Sequence, residues 1–209
     1  MPISVVVADD HAVVRQGIAS LLKDSDVELV GEADGAKDAV AKILKLQPDA
    51  VLMDVRMGAN GGLEALEELR KHDTKTRVIM LSSYDNPTYV ARSVALGANE
   101  YVLKDSSREE LLDTIHRVVR GDEPSVDRLF GQIQDLMSRK REPDDDLPLT
   151  VREVQVLRHI ALGLSNREIG LSLGISVETV KEHVQNILRK IDATDRTQAA
   201  VWAVRKKLV

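Results

Sequence analysis

Ile3-Ser4-Val5-Val6-Val7-Ala8-Asp9-Asp10-His11 passes from β-branched and small residues straight into two adjacent carboxylates and an imidazole. A short apolar run of this kind reads as a buried strand, and its abrupt polar end puts Asp9 and Asp10 at the carboxyl terminus. The pattern repeats outward along the chain. Further runs at Val27 to Val30, Ala50 to Met53, Arg77 to Leu81 and Tyr101 to Leu103 alternate with amphipathic stretches near 12–22, 36–46, 62–71, 87–96 and 108–120. Each of these stretches is long enough for a right-handed crossover between parallel strands.

Five strand-helix pairs predict an α/β unit, a flavodoxin-like doubly wound five-stranded parallel sheet over residues 1–121. Residues 122–148 read as a linker, because Gly-Asp-Glu-Pro, Arg-Lys-Arg-Glu-Pro and the acidic run Asp144 to Asp146 interrupt the apolar periodicity. Between Val126 and Met137 that linker keeps helical spacing, so a short amphipathic helix is expected inside it. Residues 149–209 read as a small all-α domain. Two modest domains suit a chain of 209 residues.

Hydrophobic residues at 43% and charged residues at 30% allow buried cores and exclude disorder along the whole chain. Aromatics are only 2%, which argues against readers that stack bases on aromatic platforms. Cysteine is absent, which excludes disulfide scaffolds, Cys-ligated zinc and thiol catalysis. The first residues lack a basic n-region and an h-region, and no apolar run approaches the roughly 20 residues that cross a bilayer. A cytoplasmic protein without a membrane partner is expected. The formal net charge of -5 conceals a division: residues 1–148 carry nine more acidic than basic side chains, and residues 149–209 four more basic than acidic. That asymmetry suits a basic half that meets a polyanion, although unequal surface charge explains it as well.

At the predicted strand ends stand Asp9-Asp10, Asp54, Ser82-Ser83 and Lys104, three carboxylates around one ammonium. Adjacent carboxylates repel unless a cation joins them, and a hard divalent ion such as Mg²⁺ (or Mn²⁺) is the usual remedy. A solvated acidic rim explains any one of these residues but not the set. Such a site supports phosphoryl transfer to a carboxylate: a metal neutralises phosphate oxygens, an aspartate attacks in line, and a hydroxyl and an ammonium hold what remains.

The residues Val7-Ala8-Asp9-Asp10-His11, Val51-Leu52-Met53-Asp54, Met80-Leu81-Ser82-Ser83 and Tyr101-Val102-Leu103-Lys104 resemble the receiver domain of two-component response regulators. The resemblance implies that Asp54 is the phosphoacceptor and that Asp9, Asp10, Asp54 and the backbone carbonyl of Arg56 hold Mg²⁺. It implies also that Ser82 and Lys104 read the phosphoryl group, and that Tyr101 is the switch aromatic that moves inward as Ser82 shifts. An ordinary strand tyrosine and a surface ion pair are the plain alternatives for Tyr101 and Lys104. One stretch departs from the family pattern. Met57-Gly58-Ala59-Asn60-Gly61-Gly62 has Gly58 where a proline is usual and Gly61 where an acid or amide is usual, so a mobile loop is expected there.

In the basic half, Thr150-Val151-Arg152-Glu153 and Ser165-Asn166-Arg167-Glu168 are capping boxes that open helical patterns. Gly174 and Ser176 then offer a turn and an N-cap before the long pattern from Val177 to Ile191. A short helix, a glycine turn and a longer helix describe a helix-turn-helix; a plain helical bundle with a solvated face is the alternative. The wording around Ser165-Asn166-Arg167-Glu168-Ile169 and Thr179-Val180-Lys181 closely resembles the LuxR-type DNA-binding domain. A receiver joined to that domain is the layout of the NarL/FixJ family.

By that resemblance Lys181, Glu182 and Gln185 meet base edges, while Asn166, Arg167, Thr179, Arg189 and Lys190 meet phosphates. Glu182 either reads cytosine or pairs with Lys181 or Arg189, and His183 is structural. Val201, Val204 and Arg205 are expected to join two copies on palindromic double-stranded DNA. The expected function is a phosphorylation-controlled transcriptional regulator, a homodimer on DNA, served by a histidine kinase or a small phosphodonor. It is not an enzyme, apart from self-catalysed phosphoryl transfer to and from Asp54. A constitutive DNA-binding regulator and a phosphoaspartyl hydrolase are the rival readings.

Overall fold

The β-branched runs form strands β1 (Ile3–Ala8), β2 (Val27–Ala33), β3 (Ala50–Asp54), β4 (Arg77–Ser82) and β5 (Glu100–Leu103). This computed structural model describes residues 2–58, 61–124, 127–138 and 147–209. The crossover helices are α1 (Ala12–Leu22), α2 (Ala36–Leu46), α3 (Gly62–His72), α4 (Pro87–Ala95) and α5 (Arg108–Arg120). All strand pairs are parallel and the order is β2-β1-β3-β4-β5. β3 and the interior of β4 are buried on both faces, which is why they read as continuous apolar runs rather than as an alternation.

The strand order reverses at β1, whose two neighbours are β2 and β3. In open α/β sheets the crevice outside such a switch point is where ligands bind. Ala8 pairs with Met53 and Ser82 with Leu103, so the residues that follow β1, β3, β4 and β5 emerge at one edge.

Packing divides the chain into two units, Met1–Asp85 with Leu96–Pro124, and Asn86–Ala95 with Ser125–Val209. The first has an aliphatic core that includes Val5, Val7, Leu52, Ile79, Leu81, Val102 and Ile115. The second contains α4 together with α6 (Leu129–Ser138), α7 (Val151–Ala161), α8 (Asn166–Leu173), α9 (Val177–Lys190) and α10 (Arg196–Arg205). α6 is the expected linker helix and buries Phe130, Ile133 and Met137. Val126, the run Arg139 to Pro143 and the acidic run Asp144 to Asp146 lie outside the described residues.

The start signals in the second unit act as the sequence predicts. Thr150 with Glu153, and Ser165 with Glu168, form reciprocal capping boxes on α7 and α8. Gly174 ends α8 in the left-handed conformation, and the Ser176 hydroxyl accepts the Thr179 amide at the start of α9. Ala199 and Ala203 of α10 are fully buried, and their small size lets that helix lie close against α7. No helix among the described residues is long and apolar enough to cross a membrane.

Candidate functional site

β1 and β3 deliver Asp9 and Asp54 side by side, and both are buried, with Asp9 wholly inaccessible. Lys104 reaches in from the end of β5, with Nζ 2.6 Å from Asp9 Oδ2 and 3.1 Å from Asp54 Oδ2. Asp10 is more open. Its Oδ2 accepts the Gly58 amide at 2.8 Å, and its Oδ1 lies 2.7 Å from His11 Nδ1. Asp9 Oδ1 accepts the His11 amide at 2.8 Å, and Arg15 donates to the Asp9 carbonyl at 2.7 Å.

One ammonium therefore serves two of the three carboxylates, Asp9 and Asp54, while Asp10 faces His11 and the Gly58 amide. Burial pushes the Asp54 carboxyl above its ordinary value; Lys104 and the Arg56 amide oppose that rise, and the nearby Asp9 charge adds to it. Burial also works against the charge on Lys104, but Asp9 and Asp54 together outweigh it and hold the ammonium above the usual lysine value. The lysine is thus held charged while Asp54 remains undercompensated. Asp9 Oδ2 is fully buried, with the Lys104 ammonium 2.6 Å away. Donor atoms of Asp9, Asp10, His11 and Asp54 all lie within 4.8 Å of one another. Three carboxylates converging on so little positive charge fit a hard divalent cation.

The loop after Asp54 has physical reasons for its glycines. Gly58 sits at φ +51°, a conformation closed to proline, and donates to Asp10 an N–H that proline lacks. At Gly62 an added Cβ would lie 1.7 Å from the Asp54 carbonyl oxygen, inside any tolerable contact. The expectation of a mobile loop falls on Ala59 and Asn60, which lie outside the described residues.

Ser82 and Tyr101 share one acceptor. The Ser82 hydroxyl donates to the Tyr84 carbonyl at 3.0 Å and accepts the Tyr84 amide at 3.1 Å, while the Tyr101 hydroxyl reaches the same carbonyl at 2.8 Å. Tyr101 is only 7% exposed. The sequence reading has this ring moving inward on activation, whereas here it is already inside.

On α9, Lys181, Glu182 and Gln185 are exposed along the helix that follows the turn. Of the two readings of Glu182, the pairing with Lys181 or Arg189 is not the one seen: Lys181 binds Glu178 at 2.8 Å and Arg189 binds Asn186 at 3.0 Å, each one turn back along the helix. Among the other expected contact residues, Arg167 is exposed and Thr179 is engaged with Ser176. Asn166 accepts from Arg196 at 2.9 Å. Lys190 is committed elsewhere, 2.8 Å from the buried Glu153. Val201 and Val204 are exposed at 45% and 58%, with Arg205 beside them.

Sequence reasoning missed His159. It is fully buried, its Nδ1 donating to the Gln155 carbonyl at 2.7 Å and its Nε2 accepting from the Ser172 hydroxyl at 2.9 Å. The signal was its place on the apolar stripe of α7; the structural role assigned to the half-buried His183 belongs more clearly to His159.

Comparison with known proteins matches both halves. Residues 5–116 match the response regulator receiver domain, and residues 147–203 match the bacterial regulatory proteins of the luxR family. The response regulator protein VraR of Staphylococcus aureus is 37% identical over 210 residues, covering all of both chains. The receiver domain of the putative response regulator NarL from Mycobacterium tuberculosis is 34% identical with a TM-score of 0.55, covering 57% of this chain and 97% of that one. The response regulator ChrA of a heme-sensing two-component system covers 99% of this chain and 98% of its own, at 29% identity and a TM-score of 0.53. With a receiver fold, an aspartate cluster at its switch point and a helix-turn-helix later in the sequence, the chain belongs to the NarL/FixJ family of two-component response regulators and is a DNA-binding regulator of transcription.

Proposed function

We propose that Asp54 accepts a phosphoryl group from a histidine kinase or a small phosphodonor, and that this controls the binding of operator DNA. The observation that carries the reading is Lys104 lying between Asp9 and Asp54 at the strand ends. An Asp54 oxygen attacks phosphorus in line, the bond from phosphorus to the donor breaks, and the donor leaves with the bonding pair and takes up a proton from water. Lys104 is placed to balance charge on the phosphoryl oxygens, and Ser82, once turned from the Tyr84 carbonyl, to donate to one of them. Asp9, Asp10, Asp54 and the Arg56 carbonyl would hold Mg²⁺ or Mn²⁺, whose contribution is to neutralise phosphate oxygens.

The release of Ser82 and Tyr101 from their shared acceptor is the switch in this reading. Residues 1–121 act as the receiver, 122–148 as the linker and 149–209 as the DNA-binding domain, in the cytoplasm. Lys181, Glu182 and Gln185 face bases; Asn166, Arg167, Thr179 and Arg189 face phosphates, as Lys190 does once it leaves Glu153. Val201, Val204 and Arg205 pair two copies on a palindromic site. The protein performs no reaction on an outside substrate beyond its own phosphorylation and dephosphorylation.

The test is phosphodonor labelling and operator binding of the full chain, with Mg²⁺ and across several salt concentrations. Labelling that Asp54→Asn abolishes, together with donor-dependent operator affinity that falls steeply with salt, supports the reading. Affinity indifferent to the donor and to Asp54→Asn overturns it.

A further inference from the structure

Within the carboxylate cluster, His11 is the one donor that is not oxygen. It occupies the N-cap of α1, yet its side chain caps no amide of that helix. The ring turns toward the carboxylates instead, its Nδ1 at 2.7 Å from Asp10 Oδ1 and 3.3 Å from Asp9 Oδ1. Its amide is tied to Asp9 Oδ1 at 2.8 Å, which fixes the backbone from which the ring reaches. On the far side, the Gly58 amide pins the other Asp10 oxygen.

Ligand atoms on adjacent corners of an octahedron with bonds near 2.1 Å lie about 3 Å apart. The spacings of Nδ1 from Asp10 Oδ1 and Asp9 Oδ1 bracket that value. Without a cation, Nδ1 donates its proton to these carboxylate oxygens; a metal that displaces that proton takes the Nδ1 lone pair, and the 68% exposed ring leaves room in water for a proton on Nε2. The fully buried Asp9 carboxylate, which shares Lys104 with Asp54, is a second sign that the cluster is short of positive charge.

We propose that His11 is a nitrogen ligand of the metal site, which makes the site favour borderline ions such as Mn²⁺ or Co²⁺ over Mg²⁺. The proposal rests on the metal-binding reading given above. Hard Mg²⁺ keeps to oxygen and water, whereas imidazole suits the later first-row ions. Loss of His11 should therefore weaken Mn²⁺ far more than Mg²⁺.

The experiment is pulsed electron paramagnetic resonance on the full chain loaded with Mn²⁺, natural and with ¹⁵N-histidine, alongside competition between Mn²⁺ and Mg²⁺. Expected are a histidine-nitrogen modulation that changes with the isotope and disappears in His11→Ala, and a Mn²⁺-over-Mg²⁺ preference that drops about tenfold in that variant. His11 is an exposed side chain, and circular dichroism of the variant checks that the fold persists. Mn²⁺ bound without a histidine coupling, with an unchanged metal preference, overturns the role of His11 and leaves the carboxylate site standing. No Mn²⁺ or Mg²⁺ bound by the natural protein overturns both.

Discussion

Two sets of buried carboxylates behave in opposite ways. Asp9 and Asp54 at the strand ends share a single lysine, and burial leaves Asp54 above its ordinary value. Glu153 is just as inaccessible, and burial again opposes its charge. There, however, Lys190 and the amide and hydroxyl of Thr150 outweigh burial and hold it below the usual glutamate value. Glu168 repeats the pattern, with burial overcome by Arg92 and by the amide and hydroxyl of Ser165. Burial by itself does not mark function. What separates the sets is whether the protein's own groups complete the compensation.

The sharpest way to break this comparison is to remove one carboxylate from each set. Asp54→Asn should abolish phosphoryl labelling, a loss of at least about 100-fold, while leaving thermal stability equal or higher, because it removes an undercompensated charge beside Asp9. A variant that unfolds more readily than the natural protein would place Asp54 with the structural carboxylates. Glu153→Ala should do the reverse, lowering stability by about 2 kcal/mol through the lost cap and the stranded Lys190, with phosphorylation of Asp54 unchanged. Denaturant unfolding followed through the single tryptophan, Trp202, reads the effect in the second unit.

A smaller effect separates the two units by pH. Burial pushes His159 below its ordinary value of 6.5, outweighing its bond to the Gln155 carbonyl. The unfolded chain therefore takes up that proton at a higher pH than the folded chain does. Stability is full above about pH 6.5 and falls as pH drops from there toward the folded value, by at most about 1.4 kcal/mol per pH unit. The lowered Glu153 and Glu168 add their own loss only at more acidic pH, below the usual glutamate value of 4.5. His159→Gln should flatten the profile between pH 6.5 and 5; an unaltered slope would assign it to other groups. The least effect is expected at Gly58→Ala. Its φ of +51° costs an L-residue about 1 kcal/mol, which should appear in denaturant unfolding of the first unit as a loss of that size at most, with Mg²⁺ binding weakened no more than severalfold.

Much of this was legible before any coordinates. The strands declared themselves because parallel strands buried on both faces must be apolar throughout. Asp9, Asp10, Asp54 and Lys104 declared themselves because they end those runs. The helix starts of the second unit were equally open, since a capping box is completed within four residues. Less legible were Ser82 and Tyr101, whose placement was expected but whose shared partner was not: the Tyr84 carbonyl is a backbone group with no sequence signature. The partners that Lys181, Arg189 and Lys190 take within the protein were hidden in the same way. Charge and helix face suggested their roles, but their neighbours had alternative partners that a one-dimensional reading could not rank.

The sequence by itself determined the alternation of strands and helices, the caps, the chemistry of the strand ends and the sign of charge in each half. These follow from rules that act over a few residues: side-chain periodicity, backbone amides waiting for a cap, and polar residues that must end a buried apolar run. Only the tertiary structure decided which groups meet. Sheet register brought Lys104 to both Asp9 and Asp54, and the packing of α7 against α9 gave Lys190 to Glu153 across 37 residues of chain. The left-handed turn at Gly58 aimed an amide at Asp10, 48 residues back. Such pairings depend on distances of a few tenths of an ångström between elements far apart in the chain, and no local rule carries that information.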